Sequence, residues 1–305
     1  MTAAPRVAFI GLGHMGGHMC AHVVAAGFEV TAFDLDAGAV ARAAARGASP
    51  AASAAECVAG AEFVVTSLPG PPQVQDVLCG PGGVIGTLPA GSLVVEMSTS
   101  SLEVGRRIQT AAAGAGVALI DAPVAGQTIG AQAGTLAIYV GGEPESFERA
   151  RPLLEAMGDP DRIVRVGPAG SGYAVKLLLN LLWFVQSVAT AEALTVGMRA
   201  GVALDSLHAA LVASPANSVF LERDVLPLLS GGDYDEGFTM KLVTKDLGLA
   251  VDLARDVGVP VELSSLVEQI HRRARAAYGD QAGEMSAIRL YEDLAGLKLR
   301  WSTDD

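Results

Sequence analysis

A lysine and an asparagine, Lys176 and Asn180, stand four residues apart near the start of the apolar segment GSGYAVKLLLNLLWFVQSVATAEAL (170–194). On a helix that spacing puts both side chains on one face, one turn apart. Lysine is among the residues least often fully buried, so a lysine set among Leu177, Leu178, Leu179, Leu181 and Leu182 needs a reason. Either its stem carries the ammonium out to solvent, or it lines a polar cavity where its proton is used. The second reading is proton-transfer chemistry. It requires a pKa below the usual value of about 10.4, and burial among leucines pushes in that direction.

A second group of residues points to nucleotide binding. VAFIGLGHMGGHM places Gly11-x-Gly13-x-x-Gly16 between an apolar run and a helical stretch. Gly11 permits a tight turn, Gly13 lets the backbone approach a pyrophosphate, and Gly16 lets helix and strand pack closely. The helix N-terminus then faces the negative charge. Leu12, His14 and Met15 complete the loop. Asp34 ends the second apolar run, eighteen residues after Gly16. A carboxylate there hydrogen-bonds a ribose 2′-hydroxyl and repels a 2′-phosphate, which predicts NAD over NADP. Asp34 also suits the N-cap of a helix over 37–46, a role that Asp36 can fill instead.

The elements that must hold these residues are readable too. Strand candidates are VAFIG (7–11), EVTAFD (29–34), FVVTSLP (63–69), LVVEMS (93–98), ALIDAPV (118–124) and LAIYVGG (136–142). Helical stretches such as AGAVARAAARG and SLEVGRRIQTAAAGAG lie between most of them. Solid apolar runs separated by helices predict a parallel sheet covered on both faces. The glycines of DAPVAGQTIGAQAGTLAIYVGG suggest an antiparallel extension near the sheet edge. After GPAGSG (167–172) the strand signal stops. Helices are expected over 172–200, 204–213, 218–229, 240–257, 262–278 and 286–298, with turn chemistry at SGGDYDEG and VGVP. The expected fold is an α/β Rossmann-type dinucleotide-binding domain over 1–165, followed by an all-α domain over 166–305 that begins with a long interdomain helix. The terminal WSTDD reads as a frayed end.

Bulk composition excludes several function classes. The chain has 305 residues, half of them apolar, enough for two cores. Its net charge of −12 would repel nucleic acid and anionic membrane. Cys20, Cys57 and Cys79 are scattered, which suits free thiols in a reducing cytoplasm and fits no zinc pattern. VAFIG follows Arg6 directly and reads as a strand rather than a leader. The 170–194 segment comes closest to a membrane span, but Lys176, Asn180, Gln186 and Glu192 recur through it, so it reads as a core helix. No metal is implied by ligand spacing. His14, His18 and His22 recur every fourth residue, with His14 in the glycine loop and the others expected on the helix surface or at a dimer contact.

Taken in order along the chain, four segments resemble the 3-hydroxyisobutyrate dehydrogenases, the β-hydroxyacid dehydrogenase group related to 6-phosphogluconate dehydrogenase. FIGLGHMGGHMCAHV is similar to the N-terminal signature, departing mainly at Cys20, where a small Ala or Ser is usual. DAPVAGQTIGAQAGTL (121–136) resembles the substrate-binding segment. GSGYAVKLLLN (170–180) resembles the catalytic segment, with Lys176 on the catalytic lysine. FTMKLVTKDLGLA (238–250) resembles the late lysine–aspartate motif.

The resemblance implies reversible oxidation of a small β-hydroxyacid, with NAD⁺ accepting hydride and Lys176 moving the hydroxyl proton. It implies that Asn180 orients the lysine or the substrate oxygen. It places Leu68, Pro69 and Gln73 along the cofactor, Lys245 near it with Asp246 as partner or local cap, and Ser98 and Thr99 beside nicotinamide and substrate. Gly126 and Gln127 would hold the substrate carboxylate. The segment departs at Ala125, where a serine is usual, and at Gln127, where a glycine is usual. Losing that hydroxyl costs ~1–3 kcal/mol if nothing replaces it. Leu179 replaces the first of two usual asparagines, which makes the pocket more apolar. Imine reductases share the architecture but generally lack the lysine. Silent NAD-binding relatives tend to lose it as well. The resemblance also implies a homo-oligomer, dimer or tetramer, with the long helix at the interface. 3-Hydroxyisobutyrate, glycerate or tartronate semialdehyde and serine all fit as substrates.

Overall fold

Strands that are apolar on both faces need cover on both sides. The computed structural model, which describes residues 4–235 and 237–301, builds that arrangement. The chain divides into two compact units, Met1–Lys176 and Leu177–Asp305.

The first unit runs β1 (Arg6–Ile10), α1 (Gly16–Ala25), β2 (Glu29–Phe33), α2 (Ala37–Ala44), β3 (Ser49–Pro50), α3 (Ala54–Cys57), β4 (Phe63–Thr66), α4 (Pro71–Cys79), a 3₁₀ turn (Val84–Thr87), β5 (Leu93–Glu96), α5 (Leu102–Gly114), β6 (Ala118–Asp121), β7 (Val124–Ala125), α6 (Gln127–Ala133), β8 (Leu136–Gly141), α7 (Pro144–Glu155) and β9 (Gly158–Gly167). The sheet order is β3-β2-β1-β4-β5-β6-β8-β7, with β9 beside β8. From β3 to β6 every pairing is parallel. Alternate residues feed opposite cores: Val7, Phe9, Val65 and Val95 pack on one side, and Ala8, Ile10, Val64 and Val94 on the other. From β1 the chain crosses to β2 on one flank, and from β3 it returns to β4 on the other. That reversal opens a crevice at the carboxyl ends of β1 and β4, where open α/β sheets bind ligands.

The expected antiparallel extension is β8, which runs antiparallel to β6 and β7. The strand expected over 118–124 is interrupted at Ala122 and Pro123, where Pro123 has no N–H to give to a ladder, although the register against β8 runs on across the gap from Asp121 opposite Gly141 to Val124 opposite Ile138. β9 is an addition. GDPDRIVRVG carries too many charges for a buried-strand pattern, yet it pairs in parallel with β8 as an edge strand whose middle is exposed.

α8 (Ser171–Arg199) begins in the first unit and continues through the second. There follow α9 (Leu204–Val212), a π turn (Phe220–Asp224), α10 (Leu226–Gly231), α11 (Met240–Asp256), α12 (Glu262–Tyr278) and α13 (Ser286–Ala295). Phe184 and Val188 of α8 pack with Met240, Val243 and Leu247 of α11 and with Val267 and Ile270 of α12. Ala191 and Leu194 pack with Leu204, Phe220, Leu228 and Ile288. α8 is long and apolar enough to cross a membrane, and in this fold its Phe184, Val188, Ala191 and Leu194 form the buried side of a helical unit. The helix expected over 218–229 is instead the π turn followed by α10. The last helix stops three residues early, at Ala295, because Gly296 takes the left-handed cap conformation. The chain then folds back, and Lys298 and Arg300 reach the fully buried Glu292 at 3.1 and 3.0 Å. Of the terminal WSTDD, Trp301 is held by a hydrogen bond from its N–H to the Leu229 carbonyl, and 302–305 lie outside the described residues.

Candidate active site

At the carboxyl end of β1 the chain turns sharply at Gly11, with φ +95°. A Cβ there would lie 2.2 Å from the Ser67 carbonyl oxygen, and one at Gly16 would lie 2.0 Å from that of Gly11. Both contacts are with backbone. Gly13 differs: nothing lies within 4 Å of where its Cβ would be, so its backbone faces open space. A cavity of about 440 Å³ opens here, lined among others by Leu12, Gly13, His14, Asp34, Arg42 and Arg46. Leu12 itself is buried, and Met15 packs against the core beneath the loop.

Asp34 follows β2 and binds this loop directly. Its Oδ2 accepts from the Leu12 N–H at 2.6 Å and its Oδ1 from the Asp36 N–H at 2.8 Å. The N-cap of α2 is Asp36, whose Oδ1 accepts from the Gly38 N–H at 2.8 Å, so Asp34 is left to the cavity. Arg42 reaches Asp36 at 3.4 Å. In α1, His22 Nε2 lies 2.9 Å from the Gln132 carbonyl oxygen. Burial lowers the His18 pKa, and the nearby charges of Arg46, His22 and His14 lower it further. These groups can receive a dinucleotide, with glycine backbone toward the pyrophosphate and a carboxylate toward a ribose.

The neighbouring strand ends carry the other expected residues. Leu68, after β4, donates its N–H to Ser98 Oγ, after β5, at 2.8 Å. Ser98 is buried, Thr99 half-buried, and Pro69 and Gln73 are exposed. In the 121–136 segment Ala125 ends β7, Gly126 has φ +130°, and Gln127 has φ +56°. A left-handed conformation is uncommon outside glycine, so the residue where the resemblance calls for a glycine keeps a glycine-like backbone.

Lys176 lies in the second turn of α8 and is half-buried. The expected leucine wrap is not formed. Leu177 is buried, but Leu178, Leu179 and Leu182 are 52%, 38% and 58% exposed. Successive helical residues lie about 100° apart, so a leucine run cannot enclose one side chain. In the second unit, Asn180 donates from Nδ2 to Asp246 Oδ2 at 2.7 Å, and Lys245 pairs with Asp246 Oδ1 at 2.8 Å. Asp246 is only 1% exposed. The two polar residues of the late motif thus meet, and Asn180 joins them.

Residues 6–167 match the model of the NAD-binding domain of 6-phosphogluconate dehydrogenase, and residues 170–291 match that of the NAD-binding domain of NADP-dependent 3-hydroxyisobutyrate dehydrogenase. The chain belongs to the 3-hydroxyisobutyrate dehydrogenase-like family. It is 34% identical to 2-(hydroxymethyl)glutarate dehydrogenase of Eubacterium barkeri, over 98% of this chain and 99% of that protein. It is 37% identical to 3-hydroxyisobutyrate dehydrogenase of Pseudomonas aeruginosa, over 89% and 94%. The structure of the Mycobacterium tuberculosis 3-hydroxyisobutyrate dehydrogenase with L-serine superposes with a TM-score of 0.87 at 33% identity, covering 94% of this chain and 99% of that one. Membership makes the chain an oxidoreductase with an NAD(P)-binding Rossmann-type domain and a helical domain after it. The departures at Ala125, Gln127 and Leu179 are therefore changes within a 3-hydroxyisobutyrate dehydrogenase-like frame.

Three buried polar residues escape a reading by motif: Glu96, Asp121 and Tyr173. Glu96 ends β5 and is fully buried, with its Oε2 accepting from the Tyr173 hydroxyl at 2.5 Å. Asp121 ends β6 and accepts from the Gly170 N–H at 2.6 Å and the Tyr173 N–H at 3.0 Å. The only sequence signal is a carboxylate closing an otherwise apolar strand, as in LVVE and ALID.

Proposed function

We propose that the protein is an NAD-dependent dehydrogenase of small β-hydroxyacids in which Lys176 is the general acid/base. The observation that carries this reading is the Asp121 contact. By accepting from Gly170 and Tyr173, Asp121 fixes the first turn of α8, and Lys176 just beyond it, at the carboxyl end of β6. The glycine loop, Asp34, Leu68 and Thr99 all follow the carboxyl ends of parallel strands in the same sheet. Bound NAD⁺ supplies the hydride acceptor. Lys176 Nζ takes the hydroxyl proton as the C–H bond breaks and the carbonyl forms, and returns it on reduction. Gly126, Gln127, Thr99 and Ser98 bind or frame the carboxylate end, next to Ala125, and Asn180 orients the oxygen. Gln73, Pro69 and Lys245 contact the cofactor. The deciding experiment is a panel of small β-hydroxyacids, among them 3-hydroxyisobutyrate, glycerate and serine, with NAD⁺ at alkaline pH. Turnover of at least one is expected. Firm NAD⁺ binding with no turnover on any would sink the reading.

The cofactor preference follows from Asp34. Both of its oxygens are held by backbone amides, so the carboxylate is fixed at the cavity wall. A 2′-phosphate would bring up to two more negative charges beside it. The kcat/KM for NAD⁺ is expected to exceed that for NADP⁺ at least tenfold. In Asp34→Ser the gap should narrow by an order of magnitude, because Arg42 and Arg46 line the same cavity. A wild-type preference for NADP⁺ would refute the assignment.

Gln127 bears on the substrate. Holding a non-glycine residue in the left-handed region costs ~1–2 kcal/mol. In Gln127→Gly the relief of strain works against the chain entropy of the new glycine, so the backbone terms nearly cancel. The KM for the hydroxyacid should rise at least fivefold and that for NAD⁺ should stay constant. An unchanged hydroxyacid KM would show that the side chain does not hold the carboxylate.

The same reading places the protein in the cytoplasm, where its three free cysteines stay reduced. It also makes the protein a homo-oligomer, dimer or tetramer. Leu178, Leu182 and Val196 of α8 are 52%, 58% and 68% exposed in the single chain, an apolar surface that a second copy would cover. Sedimentation of the purified protein as a monomer would contradict the oligomer.

A further inference from the structure

We propose that Tyr173 and Glu96 are positioning residues for the reaction: their buried hydrogen bond, together with the Asp121 contact, fixes the turn of α8 that presents Lys176. The inference rests on the reading of Lys176 as the general acid/base.

The geometry is a clamp within the first unit. Glu96 and Asp121 are register partners at the ends of adjacent parallel strands, so they point to the same face of the sheet. Asp121 takes the backbone of the α8 entry through Gly170 and Tyr173. Glu96 takes the side chain of the same turn through the Tyr173 hydroxyl at 2.5 Å. One helical turn is thus held at its backbone and at a side chain tip. Tyr173 lies three residues before Lys176, on the same helical face.

The surroundings leave this turn little room to move. A Cβ on Gly172 would lie 2.4 Å from the Tyr139 carbonyl oxygen and 2.7 Å from that of Asp121, so the helix seats directly on the strand backbones. A Cβ on Gly105 of α5 would lie 2.9 Å from the Tyr173 ring, so the ring packs against bare helix backbone. Glu96 is itself fixed, because its Oε1 accepts from the Ser98 N–H at 2.9 Å and from Thr66 Oγ1 at 3.3 Å. Ser98 in turn holds Leu68. The loops after β4 and β5 and the lysine turn therefore share one polar hydrogen-bond network, whose bonds reinforce one another.

Such a network is costly to bury. Burial pushes the Glu96 carboxyl up to about 7 against the hydrogen bonds from Ser98 and Tyr173, with Asp121 raising it further. Burial raises Asp121 as well. An apolar pair of the same shape would hold the helix with no desolvation cost. What the polar pair adds is a directional contact, and catalysis by a positioned base is sensitive to displacements of about 1 Å.

The test is Tyr173→Phe, which removes one oxygen and keeps the ring. Glu96→Gln is a second, equally shaped variant in case the first does not fold. Either is expected to lower kcat at least fivefold and to leave the KM for NAD⁺ and for the hydroxyacid within twofold. Because Tyr173 acts through Lys176, the double variant Tyr173→Phe/Lys176→Ala should be no slower than Lys176→Ala alone. Losses that multiply in the double variant would overturn the proposal, as would an unchanged kcat in both single variants. If Lys176→Ala keeps kcat within tenfold of wild type, the lysine reading fails and this inference falls with it. That failure is told apart because it is read in a variant with the clamp intact.

Discussion

Lys176→Ala is expected to lower kcat by about 10²–10⁴, the range that a positioned general acid/base contributes. The protein should fold and bind NAD⁺ as before, since Lys176 is half-buried and is not part of the glycine loop proposed to hold the cofactor. The more telling variant is Lys176→Arg. It keeps the positive charge and much of the length, but a guanidinium does not give up its proton in proteins. If Lys176 only attracts the substrate carboxylate, arginine should restore most of the rate. If it exchanges a proton with the hydroxyl oxygen, arginine should be nearly as slow as alanine. Activity of either variant within tenfold of wild type would remove Lys176 from the proton-transfer step.

The parts of this site that local spacing dictates are legible in the sequence. The glycine loop is one, because a turn after a strand and close helix packing each demand glycine at a fixed offset, and Gly11 and Gly16 meet backbone within about 2 Å of a built Cβ. The alternation of apolar runs and helices gives the parallel sheet for the same reason. Long-range partnerships are not legible. Nothing in LVVE says that Glu96 will find Tyr173, which is 77 residues away, or that Asp121 will take the amide of Gly170, 49 residues on. Runs of one residue type also mislead, as the leucines around Lys176 show: composition suggests enclosure where helical geometry spreads them over every face. β9 escapes because an edge strand does not need the apolar pattern of a central one.

The glycine loop yields the second large effect, through two substitutions that separate folding from cofactor binding. Gly16 opens α1, and on helix propensity alone alanine would be better there by about 1 kcal/mol. Sterics oppose this. The new Cβ would lie 2.0 Å from the Gly11 carbonyl oxygen, a backbone atom that no rotamer change can move, so helix and loop must part by about 1 Å. Overpacking of this kind costs ~1–3 kcal/mol, and each kcal/mol lowers the melting temperature by roughly 2–4 °C in a domain of this size. Gly16→Ala should therefore be less stable than wild type. Its NAD⁺ affinity should also fall at least tenfold, because the shifted helix carries its N-terminal amides away from the pyrophosphate. Gly13→Ala has no such clash, since nothing lies within 4 Å of its new Cβ. Its melting temperature without cofactor should match wild type. The added methyl nevertheless projects into the space that the pyrophosphate would use, so NAD⁺ binding should weaken at least tenfold in calorimetric titration. If Gly13→Ala binds NAD⁺ as tightly as wild type, the loop does not cradle the pyrophosphate, and the cofactor reading built on it fails even though the fold stands.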